Sequence, residues 1–506
     1  MYTSHPSKKK WFVLSVIILM YLPVSIDATI LHVAAPSLSI DLKTSSTEIL
    51  WIIDIYSLVM ACFLLPMGVL GDRYGVKKLA LTGTIIFAAA SYFAFISTNA
   101  IMLMASRALL ALGAAMILPS TLAALRITFD NNKERAIALG IWSAVGTGGA
   151  ALGPLVGGFL LQSFTWHSVF FINLPICFLV IILTLKMKLP NEKKNHKHIH
   201  MLDPALLISS ILLIILFFKN SIKEGITSLL TFMLLTGLIT GFVFVKRQIT
   251  SLHPMIDVSL FKNRTVLAGI ILALTSMISL VGFEFFVSQE LQLAMGMSPL
   301  YAGLFLLPLI LSSCLSGPFI GWTIDFIGVR TIAFIGVFLS SLSFAGMAFT
   351  NFQTQVWQAW ALMIVLGFCI EAALLASTTA IMNSAPADKG GEAGAIEGMA
   401  YEFGAGIGVV IFGLLMSTSF KVAFEETLPK ELKQGIPESL SSLSDAITHA
   451  RKMEKTSGDL MLGYAKEAFL NSHFTIMMAA CLVLSLLSLI VYFLMRDNRK
   501  EEVNSH

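Results

Sequence analysis

Fourteen stretches of this chain are apolar enough and long enough to cross a lipid bilayer, and that restricts its fold more than any other feature. A spanning helix needs roughly 20 residues of low polarity. The stretches fall at 11–35, 49–70, 79–98, 101–125, 136–161, 167–187, 204–219, 228–246, 264–288, 299–322, 330–350, 357–383, 393–417 and 473–495, the seventh being the shortest. Of the 506 residues, 56% are hydrophobic and only 13% are charged, against about 25% charged in soluble domains. The sequence is that of an all-α integral membrane protein. Its first apolar run continues past Asp27 without a small-residue cleavage site, so it reads as a retained span rather than a signal peptide.

The net charge of +4 does not point to nucleic acid, because Lys and Arg gather in short loops between the apolar runs. An even number of spans returns both ends to one side. On that side fall Lys8 to Lys10, Arg73, Lys77, Lys78, Arg126, Lys133, Arg135, the run Lys186 to Lys197, Lys246, Arg247, Lys262, Arg264, Arg330, Lys389, Arg496, Arg499 and Lys500. The short loops opposite hold Lys43, Lys219 and Lys223. The positive-inside rule then places both termini in the cytoplasm, and the expected location is a bacterial cytoplasmic (inner) membrane.

One loop is exceptional. Residues 418–472, expected outside, are mixed-charge with helix-like patterning, and are either a cap over an external opening or an amphipathic connector. The tract 191–200, with His196, His198 and His200 beside lysines, reads as a solvated charge run rather than a metal site. Cys62, Cys177, Cys314, Cys369 and Cys481 all lie in apolar runs without CxxC spacing, so neither a disulfide framework nor a zinc site is expected.

"GVLGDRYGVKK" stands between spans two and three, and "GWTIDFIGVR" between spans ten and eleven. Aligned, Gly68, Asp72, Gly75 and Lys77 fall on Gly321, Asp325, Gly328 and Arg330, with Arg73 inside the first copy. Two copies eight spans apart are a repeat with two spans inserted, six, two and six. The expected organisation is an N-terminal six-helix half (1–187), linkers with two extra helices (188–263), and a C-terminal half (264–506). Chemically the motif is a latch: glycine permits close approach and a turn, aspartate faces helix-terminal amides, and the cation holds the cytoplasmic surface.

Other motifs join it: "SRALLALGAA" around Arg107, "GTGGAALGPLVGG" in span five, and "IDATILHVAAP" in span one. In these the chain resembles the major facilitator superfamily from about residue 11 to 495, and within it the fourteen-span drug:proton antiporters. "LWIIDIYSLV", "TWHSVFFINLP", the long last external loop and "AIEGMAYEFGAGIGVVIFG" resemble the quaternary-ammonium efflux proteins of the QacA and SmvA type. The resemblance implies two six-helix halves around a central cavity, no cofactor beyond the proton motive force, and a monomer. The partners it implies are hydrophobic cationic small molecules, protons and the lipid bilayer.

Asp27, Asp54, Arg107, Glu284, Glu371, Glu397 and Glu402 fall inside spans. An ionised residue near a helix centre costs about 2.5–3.5 kcal/mol on insertion scales, so such residues face a bundle interior or an aqueous cavity. Asp27 and Asp54 sit in the outer halves of their spans. Asp27 reads as a cation or proton site, while Asp54 is either that or an interfacial carboxylate. Arg107 does not lose its proton, so it is a structural counter-ion, or, as the resemblance implies, a neighbour of the span-one acid that influences its proton exchange. Glu397 and Glu402, five residues apart and hence about 140° apart around a helix, are assigned to substrate or proton coupling by the resemblance. Where relatives carry an acid in span ten, this chain has Ser312 and Ser313; Glu284 and Glu371 are conversely not expected from the pattern.

Gly149, Gly153 and Gly157 recur every four residues and form a bare stripe for close helix packing, with Pro154 bending the span. The resemblance associates this stripe with export and with sealing against leak. Trp51, Tyr56, Trp142, Phe283, Phe285, Phe286, Tyr401 and Phe403 lie near the acids in sequence; ring faces attract organic cations, while most aromatic residues in spans face lipid or serve packing.

The expected function is therefore proton-driven efflux of lipophilic organic cations by antiport. Quaternary ammonium biocides, cationic dyes and bis-cations such as methyl viologen or chlorhexidine are the substrate class. ATP-driven export is disfavoured because no G-x-x-x-x-G-K-[ST] occurs. A membrane enzyme is disfavoured because no catalytic set emerges and histidines such as His32 and His167 stand alone. The alternative is a transporter of another substrate, a metabolite or lipid-like compound, on the same fold.

Overall fold

The computed structural model describes residues 7–129, 132–187, 189, 202–224, 227–251, 254–255, 258–384, 390–429, 440, 442–451, 453 and 455–495. The histidine tract at 191–200, the cations Lys389, Arg496, Arg499 and Lys500, and the side chains of Lys8, Asp72, Lys133, Arg135, Lys219, Lys223 and Asp325 lie outside what is described.

The described residues form helices and no strands: α1 Ser7–Leu42, α2 Ser46–Tyr74, α3 Val76–Phe95, α4 Ala100–Thr128, α5 Asn132–Ser163, α6 Ser168–Phe171, α7 Asn173–Lys186, α8 Leu202–Glu224, α9 Ser228–Thr250, α10 Arg264–Gln289, α11 Pro299–Ile327, α12 Val329–Ala348, α13 Val356–Ser384, α14 Gly390–Thr427, α15 Leu443–Ala450 and α16 Lys455–Leu494. Helices suit hydrocarbon because each satisfies its own backbone polar groups. Their starts carry ordinary chemistry: Asn99 accepts the amide of Met102 at 2.9 Å, and Ser298 precedes Pro299 in the first turn of α11.

Among the described residues, twelve helices are long and apolar enough to span a membrane. α5 and α8, which occupy the places of expected spans five and seven, are not among them, and the apolar part of α8 is the shorter Leu202–Ile214.

The chain divides into two compact units, Met1–Leu31 with Trp51–Val258, and His32–Leu50 with Ser259–His506. In the first, α3 packs on α4 and α7, and α8 pairs with α9. The α8–α9 hairpin is closed by Ser210, which donates to the Gly237 carbonyl at 2.8 Å, and by the Arg247–Asp203 ion pair. Only 17% of the apolar window of α9 is buried in protein, against 67% for α1, so this hairpin keeps most of its surface for lipid. In the second unit, α10 packs on α13 and α14, α11 on α13, and α12 on α13 and α16.

The helix-like patterning of 418–472 corresponds to helix over much of its described part, although the flanking helices run past the expected span limits. α14 runs on to Thr427, and α16 begins at Lys455 rather than at 473. At 38 and 40 residues, these helices are about 57–60 Å long, roughly twice the hydrocarbon thickness. Between them α15 buries Leu443, Ala446 and Ala450, and Ser444 shares a 2.8 Å hydrogen bond with Ser39 at the end of α1.

Candidate functional site

The duplicated turn is legible in both units. Gly75 opens α3 at φ 102° and Gly328 opens α12 at φ 87°, a region that only glycine enters without strain. The first glycine of each copy does less than the latch reading implies. A Cβ on Gly68 would stand 3.6 Å from Pro119, and one on Gly321 3.9 Å from Leu375, both ordinary contacts. The cations behave alike. Lys77 Nζ donates to the carbonyls of Leu185 and Met187 at 3.1 and 2.6 Å, at the C-terminus of α7. Arg330 Nε donates to the Tyr492 carbonyl at 3.0 Å near the end of α16, with its guanidinium 3.8 Å from the centroid of the Tyr492 ring. Each positive charge meets a helix terminus that is negative by its dipole. Arg73 lies over its neighbour Tyr74 at 5.3 Å.

In the first unit, Asp27 and Arg107 form an ion pair with each residue 1% exposed. Arg107 Nε also donates to the Ile52 carbonyl at 3.3 Å, and its guanidinium lies 4.4 Å from the centroid of Tyr56. Asn173 reaches the other Asp27 oxygen at 3.5 Å and Ser91 Oγ at 3.3 Å. A carboxylate brought out of water is thus met by a fixed cation and an amide, the condition under which a buried ion pair persists. Asp54, on α2, is also 1% exposed.

The glycines of α5 seat α1 around Asp27. A Cβ on Gly149 would stand 2.6 Å from Ser25 Cβ, one on Gly153 would strike Thr29 Oγ1 and come 2.9 Å from the Ile26 carbonyl, and one on Gly157 would stand 2.9 Å from Ile30. Thr29 uses the room to donate to the Ala150 carbonyl at 2.6 Å. Pro154, between the last two glycines, is buried inside α5. Trp142 on the same helix stacks on Tyr21 with centroids 4.5 Å apart and donates to Thr121 at 3.1 Å.

The acids of the second unit lie in separate settings. Glu397 accepts hydrogen bonds from Thr378 Oγ1 and, at 2.7 Å, from Tyr401 Oη. Among the described residues no cation pairs with it. Glu402 is half-buried further along the same helix. Glu371 accepts from Ser313 at 3.1 Å, so one of the two serines standing where an acid was expected serves a carboxylate on the adjacent helix. Ser312 donates instead to the Ile364 carbonyl at 2.6 Å.

His32 does not stand alone. Its Nδ1 lies 3.4 Å from Glu284 Oε2, with both side chains buried. Phe283, Phe285 and Phe286 are fully buried, with Phe283 edge-on to Phe344 and Phe286 stacked on Phe469, so they are packing residues rather than a cation cage. Sequence reasoning missed Asn173, Ser91, Thr378, Glu290 and His473. Each is an ordinary polar residue in an apolar run, and only the partner it meets makes it notable.

A multi-pass helical protein with a repeated glycine–basic turn and buried membrane acids has the parts of a secondary transporter. Residues 17–409 match the model of the Major Facilitator Superfamily; the chain belongs to that superfamily and is a transporter, not an enzyme. It is 47% identical to the methyl viologen resistance protein SmvA of Salmonella typhimurium, over 96% of this chain and 98% of that one. It is 34% identical to the multidrug efflux pump LfrA of Mycolicibacterium smegmatis, over 83% of each. A bacterial homolog of the human lysosomal transporter Spinster, in an inward-facing and occupied conformation, matches with TM-score 0.66 over 97% of both chains, at 16% identity, a likeness of fold alone.

Proposed function

We propose that the protein exports lipophilic organic cations across the bacterial inner membrane in exchange for protons, crossing that membrane fourteen times with both termini in the cytoplasm and acting as a monomer. The observation that carries this reading is the contrast between two buried carboxylates. Asp27 is charge-balanced by Arg107, whereas among the described residues Glu397 accepts from the hydroxyls of Thr378 and Tyr401 and meets no cation. A carboxylate in hydrocarbon without a fixed counter-ion is stabilised by a proton or by a bound cation, and the Tyr401 ring offers a π surface beside it.

Competition for that charge suffices for exchange. A proton and a drug cation cannot both neutralise one carboxylate, so protonation from outside favours drug release and deprotonation inside restores affinity. Asp27, with Arg107 and the neighbouring Asp54, is assigned the proton-responsive role. Glu284, Glu371 and Glu402 are assigned to the same set of coupling acids. Moving each elementary charge outward against 100 mV costs about 2.3 kcal/mol, so one proton balances a monocation and two balance a dication. The names of the relatives, one a methyl viologen resistance protein and one a multidrug efflux pump, support a substrate class of this kind.

The test is proton movement in inverted vesicles on addition of ethidium, a quaternary ammonium biocide or methyl viologen. Substrate-dependent proton release that is lost in Asp27→Asn supports antiport, and its absence in the wild type removes the claim.

A further inference from the structure

Glu290 and His473, 183 residues apart, meet in the second unit and take no part in the reading above. After Gln289 the helix widens into a π-helical turn, Glu290–Ala294, closed by the Met295 amide on the Glu290 carbonyl at 3.0 Å. Such turns are rare and recur at functional sites. Glu290 is 2% exposed, and its Oε2 lies 2.8 Å from Nδ1 of His473, itself 7% exposed. The other ring nitrogen, Nε2, lies 2.8 Å from the carbonyl of Met347 at the end of α12.

A carbonyl oxygen only accepts, so Nε2 carries a hydrogen. If the ring were neutral and the carboxyl ionised, the Nδ1 lone pair would face a carboxylate oxygen at hydrogen-bond distance. Two acceptors form no bond, and both would be buried unsatisfied. The contact therefore requires one proton, either on Nδ1 as an imidazolium facing a carboxylate or on Glu290 as a carboxylic acid donating to Nδ1.

We propose that Glu290 and His473 form a proton-binding site, holding a single shared proton that clamps the π-turn after α10, the end of α12 and α16 together. Aromatic rings flank the imidazole. Phe352 lies edge-on to the imidazole with centroids 4.8 Å apart, and Phe286 is tilted against it at 6.0 Å. On the elements packed against it, Lys421, Glu425, Glu426, Asp459, Glu467 and Arg264 are exposed, Glu402 is half-buried, and Glu397 is bonded to Tyr401 and Thr378. Asp445, His449 and Lys466 are half-buried, Arg330 is engaged with Tyr492, and Glu284 faces His32. Linkage sets the sign: the clamp is complete while the pair holds its proton and is lost when that proton leaves.

The site stands independently of antiport, so the test uses full-length protein without substrate. Nitrogen and carboxyl NMR of isotope-labelled histidine and glutamate at pH 7, with His473 assigned by its loss in His473→Asn, reports where the proton is. An imidazolium with an ionised Glu290, or a neutral ring with a protonated Glu290, supports the site; a neutral ring with an ionised Glu290 overturns it. Thermal unfolding against pH gives a second reading that needs no assignment. In Glu290→Gln an amide N–H donates to Nδ1 without any shared proton. The variant is expected to keep its stability at pH 7 and to lose the fall in Tm toward alkaline pH that the shared proton predicts for wild type. Identical pH profiles for the two proteins overturn the proposal.

Discussion

The Tyr401 hydroxyl donates to the Glu397 carboxylate at 2.7 Å, one helical turn away on α14, and the two residues share Thr378 as a third partner. The pair presents negative charge and an aromatic ring from adjacent turns of one helix. Glu397→Gln keeps a hydrogen-bonding group for both hydroxyls while removing the charge. Ethidium efflux is expected to fall tenfold or more, by roughly the 1.5–3 kcal/mol of a charge-assisted contact, with little change in Tm. Retained transport of a dication after both Glu397 and Glu402 are changed to Gln would remove these residues from the site.

Arg107 is the only charge partner of Asp27 among the described residues. Arg107→Ala is expected to destabilise the protein by about 3 kcal/mol or more, because it strands a buried carboxylate. Adding Asp27→Asn should recover much of that loss, so the double variant unfolds at a higher temperature than Arg107→Ala alone. Arg107→Lys should not substitute fully, since a point charge cannot bond Asp27 and the Ile52 carbonyl while lying flat over Tyr56.

The α1–α5 contact admits a controlled comparison on one helix. A methyl on Gly153 would collide with Thr29 and the Ile26 backbone, whereas a methyl on Gly148 meets nothing within 4 Å. Gly153→Ala is expected to destabilise by about 1–3 kcal/mol through overpacking and to impair transport. Gly148→Ala should be close to wild type in both. Equal effects of the two would contradict the seating of α1 on the glycine stripe.

Gly75→Ala and Gly328→Ala force a side chain into positive φ, and each is expected to cost about 1–3 kcal/mol. Thermal unfolding should show matching losses in the two copies. Lys77→Ala and Arg330→Ala, which release the carbonyls at the ends of α7 and α16, should show smaller ones.

The proposed topology, fourteen crossings with both termini inside, predicts opposite sidedness for two loops. Cysteines introduced at Lys197 and Lys433 are expected to react with an impermeant thiol reagent only from the inside and only from the outside, respectively. Labelling of both from one side contradicts the topology.

Much of this architecture was legible along the chain, because the signals are local. Length and hydropathy mark a span wherever it lies, and the glycine–basic turn is a string that can be aligned with itself. The helix-like patterning of 418–472 was legible too, but not the limits of its helices: α14 and α16 outlast their apolar runs, and hydropathy marks only where such a run ends. Sequence reasoning also left His32 solitary, and it could not separate packing from ligand contact for Phe283, Phe285 and Phe286, which neighbour an acid in sequence.

The sequence by itself determined that this is a helical membrane protein, internally repeated, with acids placed where hydrocarbon makes charge expensive. Only the tertiary structure decided what each acid faces: Arg107 and Asn173 for Asp27, His32 for Glu284, Ser313 for Glu371, hydroxyls for Glu397, and His473 for Glu290. The physical reason is that secondary structure in a membrane follows from each segment's own transfer energy and hydrogen bonding. The chemistry of a buried carboxylate follows instead from the few ångströms around it, and those are filled by residues from distant parts of the chain.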